Sequence, residues 1–442
     1  MTKSFRPWKV DEVWLLPPSV QEFVPEGHAA HLVRDIVAEE LDLSAILAAY
    51  TEPRGYPPYH PAMMVALLLY AYSRGVYSSR RIARACEERL DFQAVTALNR
   101  PDFRTISEFR RRHLPALAAL FVQVLAVCRR AGLVGLGHVA VDGTKLRANA
   151  SKHKAMSYGR MGPAEAELAA EVEGWLAQAE GADAAEDATL GANRRGDAMP
   201  GWMRDKQHRL ERIRAAKAEL EAEARAAEAA MQDPGTKADG TPRERRGRKP
   251  KHPPGVPKPS AQRNFTDPES RIMKGSDGFV QAYNAQAAVD ATAQVIVAHD
   301  LSNNAADHDA LAPLLDAVTA NTKATPTEVS ADSGYCSEAN LADLNRRGIR
   351  GYVATGRAKR PAEGEEQRRG PWVSAMRQRL RRAGRRSRYR LRKQVVEPVF
   401  GQIKGARGFR QFLLRGIEKV KHEWALVCTA HNLTKLARAA AA

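Results

Sequence analysis

Three carboxylates stand out by what surrounds them. Asp142 closes the apolar run HVAVD and is followed by Gly143, Thr144 and Lys145. Asp332 closes a second run, EVSAD, 190 positions later, and is again followed by small residues, Ser333 and Gly334. An aspartate at the end of a strand is often only a turn former. Two of them change the reading: if the strands are neighbours, both carboxylates project from one edge of a sheet and repel each other unless a cation lies between. Divalent cations held by carboxylates serve many enzymes that cleave and join phosphodiesters, one ion activating the attacking oxygen and a second stabilising the leaving one. Such a site needs a third acid. The tract from Arg377 to Arg415 holds fourteen Lys or Arg residues and one acid, Glu397. A lone carboxylate among cations ordinarily reads as a salt-bridge partner. Here Lys404 lies seven residues on, two helical turns and one face away, so a metal-bound acid would sit beside a phosphate-binding lysine. Pro398 disfavours helix at Glu397 and predicts a helix start or a kink there.

The elements that must carry these acids are legible in the hydrophobic period. HVAVD, QAYNAQAAVD, AQVIVAHDL, TEVSAD and IRGYVAT read as strands with buried faces, and DHDALAPLLDAVTAN and SEANLADLNRRG as helices between them. The order is three strands, helix, strand, helix, strand, then helices, a mixed α/β or α+β domain spanning 131–442. Between its first two strands lies an insertion at about 151–264 with RLERIRAAKAELEAEARAAEAAM, where Ile213, Leu220 and Ala227 recur every seven residues. So narrow a stripe predicts a helical hairpin packed on the body. RERRGRKPKHPPGVPKP, which follows, reads as a mobile basic linker. Residues 1–130 read as an all-helical domain: HPAMMVALLLYAYSRG a buried helix ended by Gly75, SSRRIARACEERL an amphipathic one capped near Ser78, and Thr105 to Glu108 a capping box before a third. Arg80, Arg81, Arg84, Arg110, Arg111 and Arg112 stud these helices, as DNA contacts or as a solvated basic surface.

Composition agrees with a polyanionic partner. Lys plus Arg is 69 against 51 acids in 442 residues, a formal net charge of +18, which points to nucleic acid rather than a small metabolite. Cys86, Cys128, Cys336 and Cys428 lie far apart, with neither zinc-site nor disulfide spacing. The N-terminus has no signal-peptide h-region, and the longest apolar stretch, Met63 to Tyr72, is too short to span a bilayer. The expectation is a soluble, cytoplasmic, nucleoid-associated protein without a membrane partner.

VDGTKLRANASKHKAMSY, DPESR, YNAQAAVD, ADSGYCSE and VEPVFGQIKGARGFRQFLLRG, with GYPPYHPAMMVALLLYAYSRGVYSSRRIARACEER upstream, resemble the bacterial insertion-sequence DDE transposases with a ribonuclease H-like core. The resemblance covers nearly the whole chain. It implies that Asp142, Asp332 and Glu397 are the catalytic, metal-binding triad for two Mg²⁺ (or Mn²⁺) ions. It also sets the region around Glu397 against a Tyr-x2-Arg-x3-Glu-x6-Lys signature. Glu397 and Lys404 keep its spacing, while Tyr389 and Arg392 sit one residue too far from Glu397. Tyr389, Arg392 and Lys404, with Lys145 and Arg147 from the first motif, are the expected DNA contacts, and Lys152 and Lys154 either meet DNA or are solvated. Asp290, Asp300 and Asp309 are rival carboxylates, and His308 reads as a packed or surface histidine. The implied activity is binding of terminal inverted repeats, cleavage, and transfer of 3′ ends to target DNA by a homodimer on double-stranded DNA. The alternatives are a ribonuclease H-like nuclease without strand transfer and an inactive DNA-binding relic.

Overall fold

A computed structural model of the chain describes residues 19–51, 58–190, 201–232, 253, 255–275, 278–356 and 370–441. The proposed basic linker falls largely outside the described residues, as does the N-terminal segment up to residue 18. The N-terminal part folds into α1 (Ala29–Asp35), α2 (Ser44–Leu47), α3 (Pro61–Ser73), α4 (Ser79–Glu88), α5 (Leu90–Thr96), α6 (Phe103–Arg112) and α7 (Leu114–Arg130). Pro61 presets the first turn of α3, and the His60 ring accepts the Ala62 amide. Met64 through Tyr72 are all buried, so the apolar stretch is a core helix. Gly75 ends it with a φ of +76°, where an added Cβ would come within 2.7 Å of the Arg407 carbonyl oxygen. The capping box at Thr105 is not formed. Asp102 caps the helix instead, accepting the Arg104 amide at 2.7 Å, and Glu108 pairs with Arg111. Aspartate is a good N-cap in its own right, and α6 starts earlier because of it.

The sheet follows. Its strands are β1 (His138–Arg147), β4 (Arg271–Gly275), β5 (Gly278–Asp290), β6 (Ile296–Ser302), β7 (Glu328–Ala331) and β8 (Arg350–Val353), while β2 (Ala155–Ser157) and β3 (Gln262–Asn264) form a separate antiparallel pair. β5 takes β4 and β6 along one side and β1 along the other. β7 then runs parallel to β1, and β8 parallel to β7. All five expected strands are present in the expected order. β2, β3 and β4 were not expected, being short segments without a long apolar period. α10 (Leu311–Thr322) and α11 (Glu338–Arg346) connect the parallel strands, and α12 (Pro371–Ala383), α13 (Leu391–Gly401) and α14 (Ile417–Ala440) close the chain. α14 is buried almost continuously from Glu423 to Leu433 and packs on α3, α7 and β6, joining the helical layer and the sheet in one core.

The insertion carries the expected hairpin, α8 (Tyr158–Leu190) against α9 (Gly201–Gln232), with β2 and β3 at its base. Ile213 and Leu220 are buried in a small core of their own, with Met161, Met203 and Leu210. Ala227 is exposed, because the heptad stripe outruns the packed part of the hairpin. Among the described residues no single helix is long and apolar enough to cross a membrane, and none of the four cysteines is in a disulfide.

Candidate active site

Strand pairing decides where the two aspartates emerge. β1 pairs with β7 only from His138↔Glu328 to Val141↔Ala331. Its antiparallel pairing with β5 continues to Arg147↔Ala282. Asp142 therefore does not end its strand, contrary to the sequence reading, because the long β5 holds β1 extended for five more residues. Asp142 is instead the first residue past the parallel ladder on β1, as Asp332 is on β7. The two acids leave the sheet at one point, and Asp332 then caps a 3₁₀ turn, Ser333–Tyr335, by accepting the Gly334 amide at 2.8 Å.

Glu397 comes from α13, which runs through Pro398 rather than starting there. Proline removes the amide that would bond the Gln394 carbonyl. That oxygen accepts a hydrogen bond from the Gln294 side chain at 2.8 Å, so the helix loses no satisfied group. Arg392, one turn earlier, ties the site together. Its guanidinium donates to Asp142 Oδ2 at 2.6 Å and to Glu397 Oε1 at 2.9 Å. The Arg392 and Asp142 side chains are 13% and 15% exposed, whereas Glu397 is 45% exposed, so one end of the bridge is dry and the other wet. The Tyr389 ring lies under the same guanidinium, 6.0 Å from its centroid. The extra residue lies between Arg392 and Glu397, within α13, and Arg392 still reaches Glu397, while Tyr389 sits in a 3₁₀ turn, Arg388–Arg390, ahead of that helix.

Burial pushes the Asp142 carboxyl up to about 6, with the Asp332 and Asp307 charges adding to the rise and Arg392 opposing it. Asp142, Asp332 and Glu397 are all hard oxygen donors and suit a divalent cation of the Mg²⁺ type. Asp142 and Glu397 already hold a cationic group between them, the guanidinium, which stands where a metal charge would be wanted. Among the described residues no three His, Cys, Asp or Glu side chains are gathered closely enough to form a closed ligand set. The acids are split because Arg392 is wedged between them.

Beside Asp142 opens a basic groove of about 580 Å³ lined by Thr144, Lys145, Arg147, Lys274, Lys404 and Arg410. Lys404 lies where α13 widens into a π turn, Gln402–Ala406, and donates to Thr144 Oγ1 at 2.9 Å. Lys274 and Arg410 were missed from sequence: Lys274 is on an unexpected strand, and Arg410 reaches β1 only through its carbonyl bond to the Arg147 amide. Lys152 and Lys154 are exposed in a 3₁₀ turn. Two of the rival acids have partners of their own. Asp290 accepts the amides of Leu136 and Thr292, and Asp309 is exposed against His308, while Asp300 sits on β6. The unforeseen carboxylate at the site is Asp307. The signal for it was Asn284 and Gln286, two amides on β5, both fully buried and both donating to it.

Several cations of the basic stretches have partners within the protein. Arg110 is buried and donates to Tyr72 Oη, the Tyr77 carbonyl and Ser79 Oγ. In the C-terminal tract Arg388 pairs with Glu328, Arg407 with His431, and Arg379 with the Gly351 carbonyl. The DPESR motif is also structural, Asp267 accepting from Tyr283 Oη at 2.8 Å and from the Gly416 amide.

Residues 18–112 match the family described as Transposase domain (DUF772), and residues 234–433 match the family described as Transposase DDE domain. Asp307, Asp332 and Glu397 fall inside the second range, and Asp142, upstream of it, joins them through the pairing of β1 with β7. No match was found among curated proteins or among solved structures. The two matched ranges, one on the helical layer and one on the sheet with its acids, establish that the chain belongs to the insertion-sequence DDE transposases.

Proposed function

We propose that this transposase binds the terminal inverted repeats of its element, cleaves at their ends and transfers the strands to target DNA. Proteins of this family act on DNA and generally use divalent metal ions. The single observation that carries the reading is the Arg392 bridge between Asp142 and Glu397, set beside Asp332 and opening onto a basic groove. The strand order β6-β5-β1-β7-β8, with β5 antiparallel to both neighbours and β7 and β8 parallel to β1, supports a ribonuclease H-like core. Asp142, Asp332 and Glu397 would hold Mg²⁺ or Mn²⁺. When bound, such ions supply Lewis-acid activation of the attacking oxygen and charge stabilisation of the leaving one.

The chain's own residues do the remaining work. Two strands and a helix hold the acids, with Asp142 and Asp332 leaving the sheet at one point and Glu397 joined to Asp142 through Arg392. With a bound cation balancing Asp142 and Glu397, Arg392 would be available to a backbone phosphate beside the Tyr389 ring. Lys145, Arg147 and Lys404 line the groove and meet the phosphates on either side of the reacting one. Residues 1–130 form the end-reading domain, with Arg80, Arg81, Arg84, Arg111 and Arg112 on its surface and Arg110 in its core. The catalytic domain spans 131–442 with its insertion at about 151–264, and two copies assemble on the DNA ends.

The test is cleavage and joining of DNA carrying the element's ends, with Mg²⁺ or Mn²⁺. Asp142→Asn, Asp332→Asn and Glu397→Gln should each lower cleavage by on the order of 10³-fold or more, because a neutral amide is a poor ligand for a hard cation. DNA affinity should stay within about threefold, since the phosphate contacts are elsewhere. Near-normal joining by any of the three would remove that residue from the site.

A further inference from the structure

β5 is buried from Gln281 to Asp290, yet it carries Asn284 and Gln286, both fully buried. Side-chain amides in such a strand need acceptors. Asp307 supplies one. Its Oδ1 accepts from Asn284 Nδ2 at 2.6 Å, from Gln286 Nε2 at 2.8 Å and from Lys145 Nζ at 3.2 Å. The chain of bonds continues, because Gln286 Oε1 accepts from the hydroxyl of Tyr335, which belongs to the turn that Asp332 caps. Lys145, three residues past Asp142, is thereby linked to the Asp332 turn through one carboxylate.

The small residues after both aspartates gain a reason. A Cβ on Gly143 would lie 2.9 Å from Asp307 Oδ1 and 2.5 Å from Gln286 Nε2. A Cβ on Gly334 would lie 3.0 Å from Asp307 Oδ2 and 3.0 Å from Asp332 Oδ1. Neither glycine has a positive φ, so the requirement is for space and not for backbone freedom. Asp307 stands in the gap that the two glycines leave, one beside each acid.

Building on the transposase reading, we infer that Asp307 is a positioning residue for cleavage. It aims the Lys145 ammonium into the groove and, through Gln286 and Tyr335, registers the Asp332 turn against β1. Its negative charge matters as well as its shape, because the ammonium is only 18% exposed and needs a counter-charge.

The experiment uses the full chain and DNA containing the element's ends, with Mn²⁺. Asp307→Asn, Lys145→Met and the double variant are compared, with Asp142→Asn as reference. Asp307→Asn should lower turnover at saturating DNA about tenfold or more, with the dissociation constant for DNA changed less than about threefold, because misaligned groups slow a step without releasing the strand. The double variant should be no slower than the slower single one, since a pair acting as a unit is lost once. Turnover by Asp307→Asn within about twofold of the parent, or losses that multiply in the double variant, would overturn the inference. If Asp307→Asn does not unfold cooperatively, Tyr335→Phe and Lys145→Met carry the test. Each should slow turnover severalfold, and normal turnover by both rejects the network. An active Asp142→Asn would instead sink the transposase site itself, whereas an inactive Asp142→Asn beside a normal Asp307→Asn rejects only the role of Asp307.

Discussion

Arg110 and Arg392 are both largely buried arginines on helices, and they do different things. Arg110 gives its hydrogens to neutral acceptors, Tyr72 Oη, the Tyr77 carbonyl and Ser79 Oγ, which tie α6 to α3 and α4. Arg392 gives its hydrogens to two carboxylates from different elements. A guanidinium whose hydrogen bonds all end on neutral acceptors offers another cation no carboxylate ligand in its place. A guanidinium between two carboxylates can be replaced by any better cation. The acceptors, and not the arginine, separate a structural site from an exchangeable one.

The difference between the two arginines is largest in activity. Arg392→Met should reduce cleavage by on the order of 10²-fold, as expected for loss of a charged group at the reacting phosphate. Arg110→Met should leave cleavage per folded molecule within about threefold, because its losses fall on stability. Equal losses of cleavage in the two variants would erase the distinction.

Thermal unfolding sharpens it. Each variant should lose about 2 kcal/mol of stability without divalent cations, the usual size for removing one partner from a buried polar cluster. Adding Mg²⁺ or Mn²⁺ should recover most of the loss for Arg392→Met, whose two carboxylates are then neutralised, and none for Arg110→Met. A metal-independent loss in both would mean that Arg392 is structural too.

A smaller effect belongs to the groove. Replacing Lys274 and Arg410 together with Gln should make the dependence of log affinity on log salt shallower by up to about 2, near 0.9 for each phosphate that is no longer neutralised. An unchanged slope would place the DNA path elsewhere than in the groove beside Asp142.

The last test concerns the buried carboxyl near Arg110. Burial pushes the Glu423 carboxyl up to about 7, against the opposing pull of the Leu414 and Leu413 amides it accepts and of Arg110. The folded state therefore keeps a proton that the unfolded chain releases near its ordinary value of 4.5. Stability from this group is full below that value and is lost as pH rises through about 7, by up to about 3 kcal/mol. Glu423→Gln should flatten the decline measured by denaturant unfolding between pH 5 and about 8. A parent protein whose stability does not fall across that window would show Glu423 ionised in the fold.

The sequence by itself determined the elements and their composition. Apolar runs such as HVAVD and AQVIVAHDL, short and rich in β-branched residues, favour strands, and the longer MMVALLLYAY favours a buried helix, because length, composition and period are local properties. It also supplied Asp142, Asp332 and Glu397 as candidates through their setting in otherwise apolar or basic stretches, and Arg392 through the signature of the family it resembles. Only the tertiary structure decided which groups meet. The end of the β1–β7 ladder places Asp142 beside Asp332, the Gln294 bond lets α13 carry Glu397 through Pro398, and acceptors far apart in sequence part Arg110 from Arg392. Asp307 shows the limit most clearly. In NNAADHDAL it is one of two similar aspartates, and nothing local separates it from Asp309. What singles it out is two amides on β5, a lysine on β1 and the space left by two glycines. Each of these is a distance across the fold, set by strand register and hence invisible to any local reading.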